Sequence, residues 1–209
     1  MYISWHGQYT LKIQTQDTTI VSDPYAPSVG LRPFRAQGNV VVLTHPGNKD
    51  MSHREAVQGE PLVFAGPGEL TGNGFTLNAI PWQAEDGSER AIHRWQIENV
   101  TLLNLASLNR ELASTELQEI EKTDIDVLLV PIGGGSSLTT KQALKMITTI
   151  EPRLVIPIYY ALPGLTEKLE SVTEFSQAFG LKSSEAQNKI LIKASRLSQE
   201  DMQVAVLVP

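Results

Sequence analysis

Four histidines and one carboxylate-bearing loop hold most of the chemistry that this chain of 209 residues could perform. An apolar run, Val40-Val41-Val42-Leu43, leads into Thr44-His45-Pro46-Gly47-Asn48-Lys49-Asp50-Met51-Ser52-His53. Imidazoles and a carboxylate spaced this closely after a rigid strand can chelate zinc without ordering much extra chain. His45, Asp50 and His53 are the candidate donors, with Glu85 as a further carboxylate downstream. A catalytic zinc needs three protein ligands and an open position, which lowers the pKa of its bound water. The chain has no cysteine, so thiolate ligation and disulfides are both excluded.

The elements that must position these groups change character along the chain. In the first half, short β-like runs at Tyr2 to Trp5, Tyr9 to Ile13, Thr18 to Val21, Val40 to Thr44 and Leu62 to Phe64 alternate with turn residues. Longer strands are expected over Gly74 to Ile80, Ala91 to Ile97 and Thr101 to Leu105, with a short helix near Arg54 to Val57. Gly66-Pro67-Gly68 reads as a turn and Gly72-Asn73-Gly74 as a hairpin tip. The second half alternates strand and helix. Thr115-Glu116-Leu117-Gln118 fits a capping box, and Asp126 to Pro131 and Leu154 to Ile158 are apolar runs of buried-strand type. Helices are expected over Thr139 to Ile150 and from Leu169 to Phe179, where Gly180 supplies a stop. Lys189 to Lys193 and Val204 to Val208 close the chain as strands.

Several marks in this order resemble the metallo-β-lactamase superfamily, in particular its small bacterial metal-dependent hydrolases, a branch similar to L-ascorbate-6-phosphate lactonase. They are Trp5-His6-Gly7-Gln8, Asp23-Pro24, Thr44-His45, Glu55-Ala56-Val57, Gly59-Glu60-Pro61, Gly66-Pro67-Gly68-Glu69, Ile80-Pro81, Pro131-Ile132-Gly133-Gly134 and Ile156-Pro157. The resemblance runs almost from end to end. It implies an α+β four-layer αββα sandwich, as one domain over residues 1–209, with two metal ions in a groove at the ends of two sheets. It also implies a ligand set that this sequence departs from. His45 matches the first ligand and Asp50 the carboxylate, but the second His falls at Gly47 or Asn48 and the last at Met51. The next His aligns with Ala84, the bridging Asp with Ser107, and the final His with Tyr159.

By this alignment five of seven ligand positions are replaced, and one imidazole with one carboxylate does not make a three-ligand zinc site. The sequence therefore points to a metal-free pseudoenzyme that serves as a ligand-binding or assembly module, with no cofactor. Its remnant groove would hold His45, Asp50, Trp82, Ala84, Ser107 and Tyr159. The alternative is a metal-dependent hydrolase of lactones, esters or phosphoesters, using zinc or manganese on His45, Asp50 and His53 or Glu85. A third arrangement, Ser107 with His45 and Asp50, would give a metal-free nucleophilic site if all three converged. The partner would be a small molecule or a protein, including a second copy of the chain.

Bland readings stand beside these. His45 is expected to be a hydrogen-bonded strand-end residue, His53 a surface group at a helix start, His6 a structural neighbour, and His93 solvent-facing on an alternating strand. Trp82 and Tyr159-Tyr160 are expected on loops, filling space that ions would otherwise occupy. Gly133-Gly134-Gly135-Ser136-Ser137 offers N–H groups to an anion but has no P-loop lysine, so a capped βα turn is expected. With 23 Asp+Glu against 17 Lys+Arg and no basic run, a nucleic-acid footprint is not expected. Arg32 to Arg35 and Arg90 to Arg94 read as solvated faces. The start shows no secretory pattern and no apolar stretch approaches the roughly 18–20 residues of a membrane span, so a cytoplasmic protein is the expectation.

Overall fold

The computed structural model describes residues 1–181 and 186–209. In chain order the strands are β1 (Tyr2–Trp5), β2 (Leu11–Gln14), β3 (Thr19–Ser22), β4 (Ala36–Gln37), β5 (Val40–Leu43), β6 (Val57–Gln58), β7 (Leu62–Ala65), β8 (Gly68–Gly72), β9 (Phe75–Gln83), β10 (Glu89–Ile97) and β11 (Val100–Asn104). There follow α1 (Ser114–Ile120), β12 (Val127–Pro131), α2 (Thr140–Ile150), β13 (Leu154–Ile158), α3 (Val172–Phe179), β14 (Ile190–Leu191) and β15 (Gln203–Val204). One sheet has the order β14-β1-β2-β3-β5-β7 and the other β15-β13-β12-β11-β10-β9-β8, with β4 and β6 paired separately. The fold is the expected two-sheet α+β sandwich.

The sequence explains the division of labour between the sheets. Val127–Pro131 and Leu154–Ile158 are buried at every residue, as parallel strands covered on both faces must be. β9 and β10 pair antiparallel over their full nine residues, Glu89 opposite Gln83 through Ile97 opposite Phe75. Alternation then assigns faces in the first sheet. Ile20, Val40 and Val42 join the main core, whereas Val21, Val41 and Leu43 build a smaller cluster with Tyr25, Val29, Phe34, Ala56 and Val57.

The layer over that outer face is not α-helical. Among the described residues it holds 3-10 turns at Pro27–Val29 and Arg54–Ala56, the first bounded by Pro27, Gly30 and Pro33, which interrupt a helical run. The α-helices belong to the second half. Thr139 and Gln142 form a reciprocal cap on α2, and Ser171 caps α3, which Gly180 ends in the left-handed region. α1 departs from the expected box. It starts at Ser114, and Glu116 reaches back to accept the Ala113 N–H at 2.7 Å.

Gly66-Pro67 forms the expected turn, leading from β7 into strand β8, which hairpins through the expected tip at Asn73-Gly74 onto β9. Two further expectations are corrected. The final strands are cut to Ile190–Leu191 and Gln203–Val204. His93 is fully buried rather than solvent-facing, beside Trp95 and opposite Asn104 and Ala79. Its alternation resembled a half-exposed strand, but helices and the facing sheet cover both sides of β10. Among the described residues no helix is long and apolar enough to cross a membrane.

β9, β11, β12 and β13 run in the same direction, so their carboxyl ends share one edge of the second sheet. The Ala91 N–H donates to the Thr44 carbonyl at 2.8 Å, which joins the end of β5 to that edge. The end of β9, with Trp82, and the loops carrying His45, Ser107, Ser136 and Tyr159 therefore meet.

Candidate functional site

The His45 loop is anchored by a residue that its sequence context presents only as a loop start. Asp23 is fully buried, and its Oδ1 accepts from both the Thr44 N–H (2.7 Å) and the Thr44 hydroxyl (3.0 Å). The Ser22 hydroxyl donates to Oδ2 at 2.8 Å. Burial pushes the Asp23 carboxyl up to about 7, against the opposing pull of these three donors. Sequence gave a hint in Asp-Pro at a strand end, but only the pairing of β3 with β5 places Asp23 beneath Thr44.

The two groups that match family ligands diverge. His45 is half-buried, and burial followed by Arg90 lowers its pKa while Asp86 opposes. Asp50 is exposed, and its Oδ1 accepts from the Ser28 hydroxyl at 2.5 Å. His53 turns to Glu55, with Nδ1 3.4 Å from the carboxylate, and Glu85 is exposed. Ser107 is buried, and among the described residues its hydroxyl has no partner, so Ser107, His45 and Asp50 form no relay. At the remaining aligned positions, Met51, Ala84 and Tyr159 all lie in the main apolar core.

On one side of this edge is a cavity of about 510 Å³ that includes Thr44, Pro67, Trp82, Arg90, Arg110 and Glu116 in its lining. Trp82 is the penultimate residue of β9, not a loop residue, and is buried with no partner for its indole N–H among the described residues. Guanidinium carbons lie 5.4 Å (Arg90) and 5.2 Å (Arg110) from its ring centroid. Arg90, expected on a solvated face, is buried; it donates to the Ser107 carbonyl (2.9 Å), the Ser88 hydroxyl (3.0 Å) and Asp86 (2.9 Å). Ser88 and then Arg90 hold the Asp86 carboxyl down at about 2. Register explains this missed residue: Arg90 stands directly opposite Trp82.

On the other side, Tyr159 stacks on Tyr9 at 4.1 Å with an interplanar angle of 10°. The Tyr159 hydroxyl lies 2.8 Å from the Ser136 hydroxyl and donates to Glu167 Oε2 at 2.7 Å. Burial first, with Glu167 assisting, raises the Tyr159 pKa, so the phenol stays protonated. The glycine loop is a capped turn. Glu170 Oε2 accepts from Thr140 N at 2.8 Å, so the chain's own carboxylate sits where an external anion would bind α2. At Gly133 a Cβ would stand 2.2 Å from the Tyr159 carbonyl oxygen. Gly133→Ala is therefore expected to cost about 1–3 kcal/mol, read as a lower denaturation midpoint.

A family model described as the β-lactamase superfamily domain matches residues 2–159. The chain belongs to the metallo-β-lactamase superfamily. Its curated relatives include metal-dependent hydrolases from Lysinibacillus sphaericus, 23% identical over 201 residues (77% of this chain, 85% of the relative), and from Salinibacter ruber, 26% identical over 212 residues (86% and 92%). A solved structure from Thermotoga maritima, assigned as a Zn-dependent hydrolase of this superfamily, superposes with a TM-score of 0.80 at 25% identity, covering 100% of this chain and 99% of its own.

The metal in those names meets an unsuitable donor set here. Among the described residues no group of three or more His, Asp or Glu side chains is arranged to hold an ion. His45, Asp50 and His53 each face a different neighbour. As they stand, the described residues do not bring together the three donors that a zinc site of this kind takes.

Proposed function

We propose that this superfamily member works without metal, as a module that binds a ligand in the remodelled cleft. The observation that carries this reading is the chemistry at the aligned ligand positions. Met51, Ala84 and Tyr159 are core residues, and Ser107 is a buried neutral hydroxyl. None offers an imidazole or carboxylate, and filling the space with side chains avoids the voids and unpaired charges that lost ions would leave.

A second reading is a metal-dependent hydrolase with a remodelled site, which the names of relatives 23% and 26% identical over most of the chain favour. It needs His45 and Asp50 to turn toward each other and recruit His53 or Glu85. Metal content separates the two. On the binding-module reading, protein as purified and after soaking in excess zinc or manganese holds well under one equivalent, with no rise in melting temperature. One equivalent of tightly held metal, with lactone or phosphoester turnover abolished by chelator, would establish the hydrolase instead.

A further inference from the structure

We infer that the cavity beside the stacked tyrosines is a binding site for a small organic cation carrying an ammonium group. The inference rests on the binding-module reading and names the ligand class of the same cleft. The cavity is about 290 Å³, and its lining includes Tyr9, Ser28, Asp50, Ser136, Tyr159 and Glu167. Two carboxylates and several hydroxyls line it; no Lys, Arg or His does. Each carboxylate has one oxygen engaged, Asp50 Oδ1 by Ser28 and Glu167 Oε2 by Tyr159. Among the described residues the second oxygen of each accepts no hydrogen bond and is open to a donor from a ligand.

A second, independent observation is Tyr9. Its side chain is 2% exposed and lines the cavity; the Ser136, Ser137 and Tyr159 hydroxyls stand near its own, yet among the described residues none forms a well-aligned hydrogen bond with it. Buried hydroxyls are normally satisfied, so this one is suited to a hydrogen-bonding group in the cavity. An ammonium group brings three donors. Asp50, Glu167 and Tyr9 supply three acceptor positions. An anion would meet two uncompensated carboxylates, and the nearby N-terminus of α2 is already taken by Glu170. A divalent metal would need more donors than the described residues assemble. The volume lies at the low end for small-molecule sites, which suits a short amine better than a peptide.

The test is calorimetric titration of the whole chain with putrescine and ethanolamine as cations, glycerol as a neutral polyol and acetate as an anion. An amine is expected to bind at one site, more weakly at high salt, with glycerol and acetate silent. Glu167→Gln and Asp50→Asn should each weaken it at least about tenfold, the loss of one charge-assisted contact. Tyr9→Phe should weaken it several-fold while keeping the ring. Because Asp50 is exposed, D50N reads the charge even if E167Q fails to fold. Glycerol binding as well as the amines would overturn the cation class while leaving the binding-module reading intact. Amine binding unchanged in D50N and E167Q would overturn this location, and no amine binding at millimolar concentration would overturn the inference. Metal uptake is scored separately, so failure of the metal-free reading would be recognised by itself.

Discussion

His93→Leu is expected to make the protein about 3 kcal/mol more resistant to unfolding at pH 4 than the parent, relative to their difference at pH 7. His93 is fully buried between the sheets, and among the described residues neither ring nitrogen has a partner. Burial lowers its pKa from 6.5 to about 3 in the folded state. The unfolded chain therefore takes up a proton below pH 6.5 that the folded chain refuses. The stability associated with neutral His93 is complete above pH 6.5 and is lost as pH falls toward 3. Leucine has similar bulk and no proton to bind. Urea denaturation of both proteins at pH 4 and 7 measures the effect, and an equal acid loss in the two would show that His93 is not its source. His6, half-buried against Phe34 with its pKa lowered to about 4 by burial, pushes in the same direction.

Asp23→Asn is expected to act with the opposite sign. The folded Asp23 holds its proton up to about pH 7, whereas the unfolded carboxyl releases it near 3.8. Between those values the folded state binds more protons, so stability falls as pH rises, by about 4 kcal/mol over the whole interval. Asparagine keeps an acceptor for Thr44 and tolerates the left-handed backbone of Asp23, at φ 47°. The variant should lose that decline and gain on the parent at pH 8.

The two terms nearly cancel between about pH 4 and 6.5, each near 1.4 kcal/mol per pH unit. The contributions of His93 and Asp23 are thus close to flat in the parent. His93→Leu should tilt the profile downward with pH and Asp23→Asn upward. Parallel profiles in parent and variants would remove both assignments.

Much of the fold was legible because burial leaves a simple trace in sequence. Val127–Pro131 and Leu154–Ile158 read as buried strands, and Thr139 to Ile150 read as a helix. These signals are local. The first-half outer layer was less legible, since 3-10 turns such as Arg54–Ala56 leave too short a pattern to separate from a helix. Strand β8 was hidden because Gly68–Gly72 carries little apolar alternation and is defined by its partner β9.

For the site, sequence alone determined which donors exist: four histidines, no cysteine, and Gly47 or Asn48, Met51, Ala84, Ser107 and Tyr159 among the positions aligned with metal ligands. Chemistry of that kind is a property of side-chain identity and needs no coordinates. Sequence could not determine where the remaining groups point. Pairing of β3 with β5 buries Asp23 under Thr44, and register between β9 and β10 sets Arg90 opposite Trp82. The turn after β5 leaves Asp50 with Ser28, apart from the Arg90 and Asp86 charges that act on His45. Those outcomes depend on contacts between residues distant in the chain, so only the tertiary structure decided them.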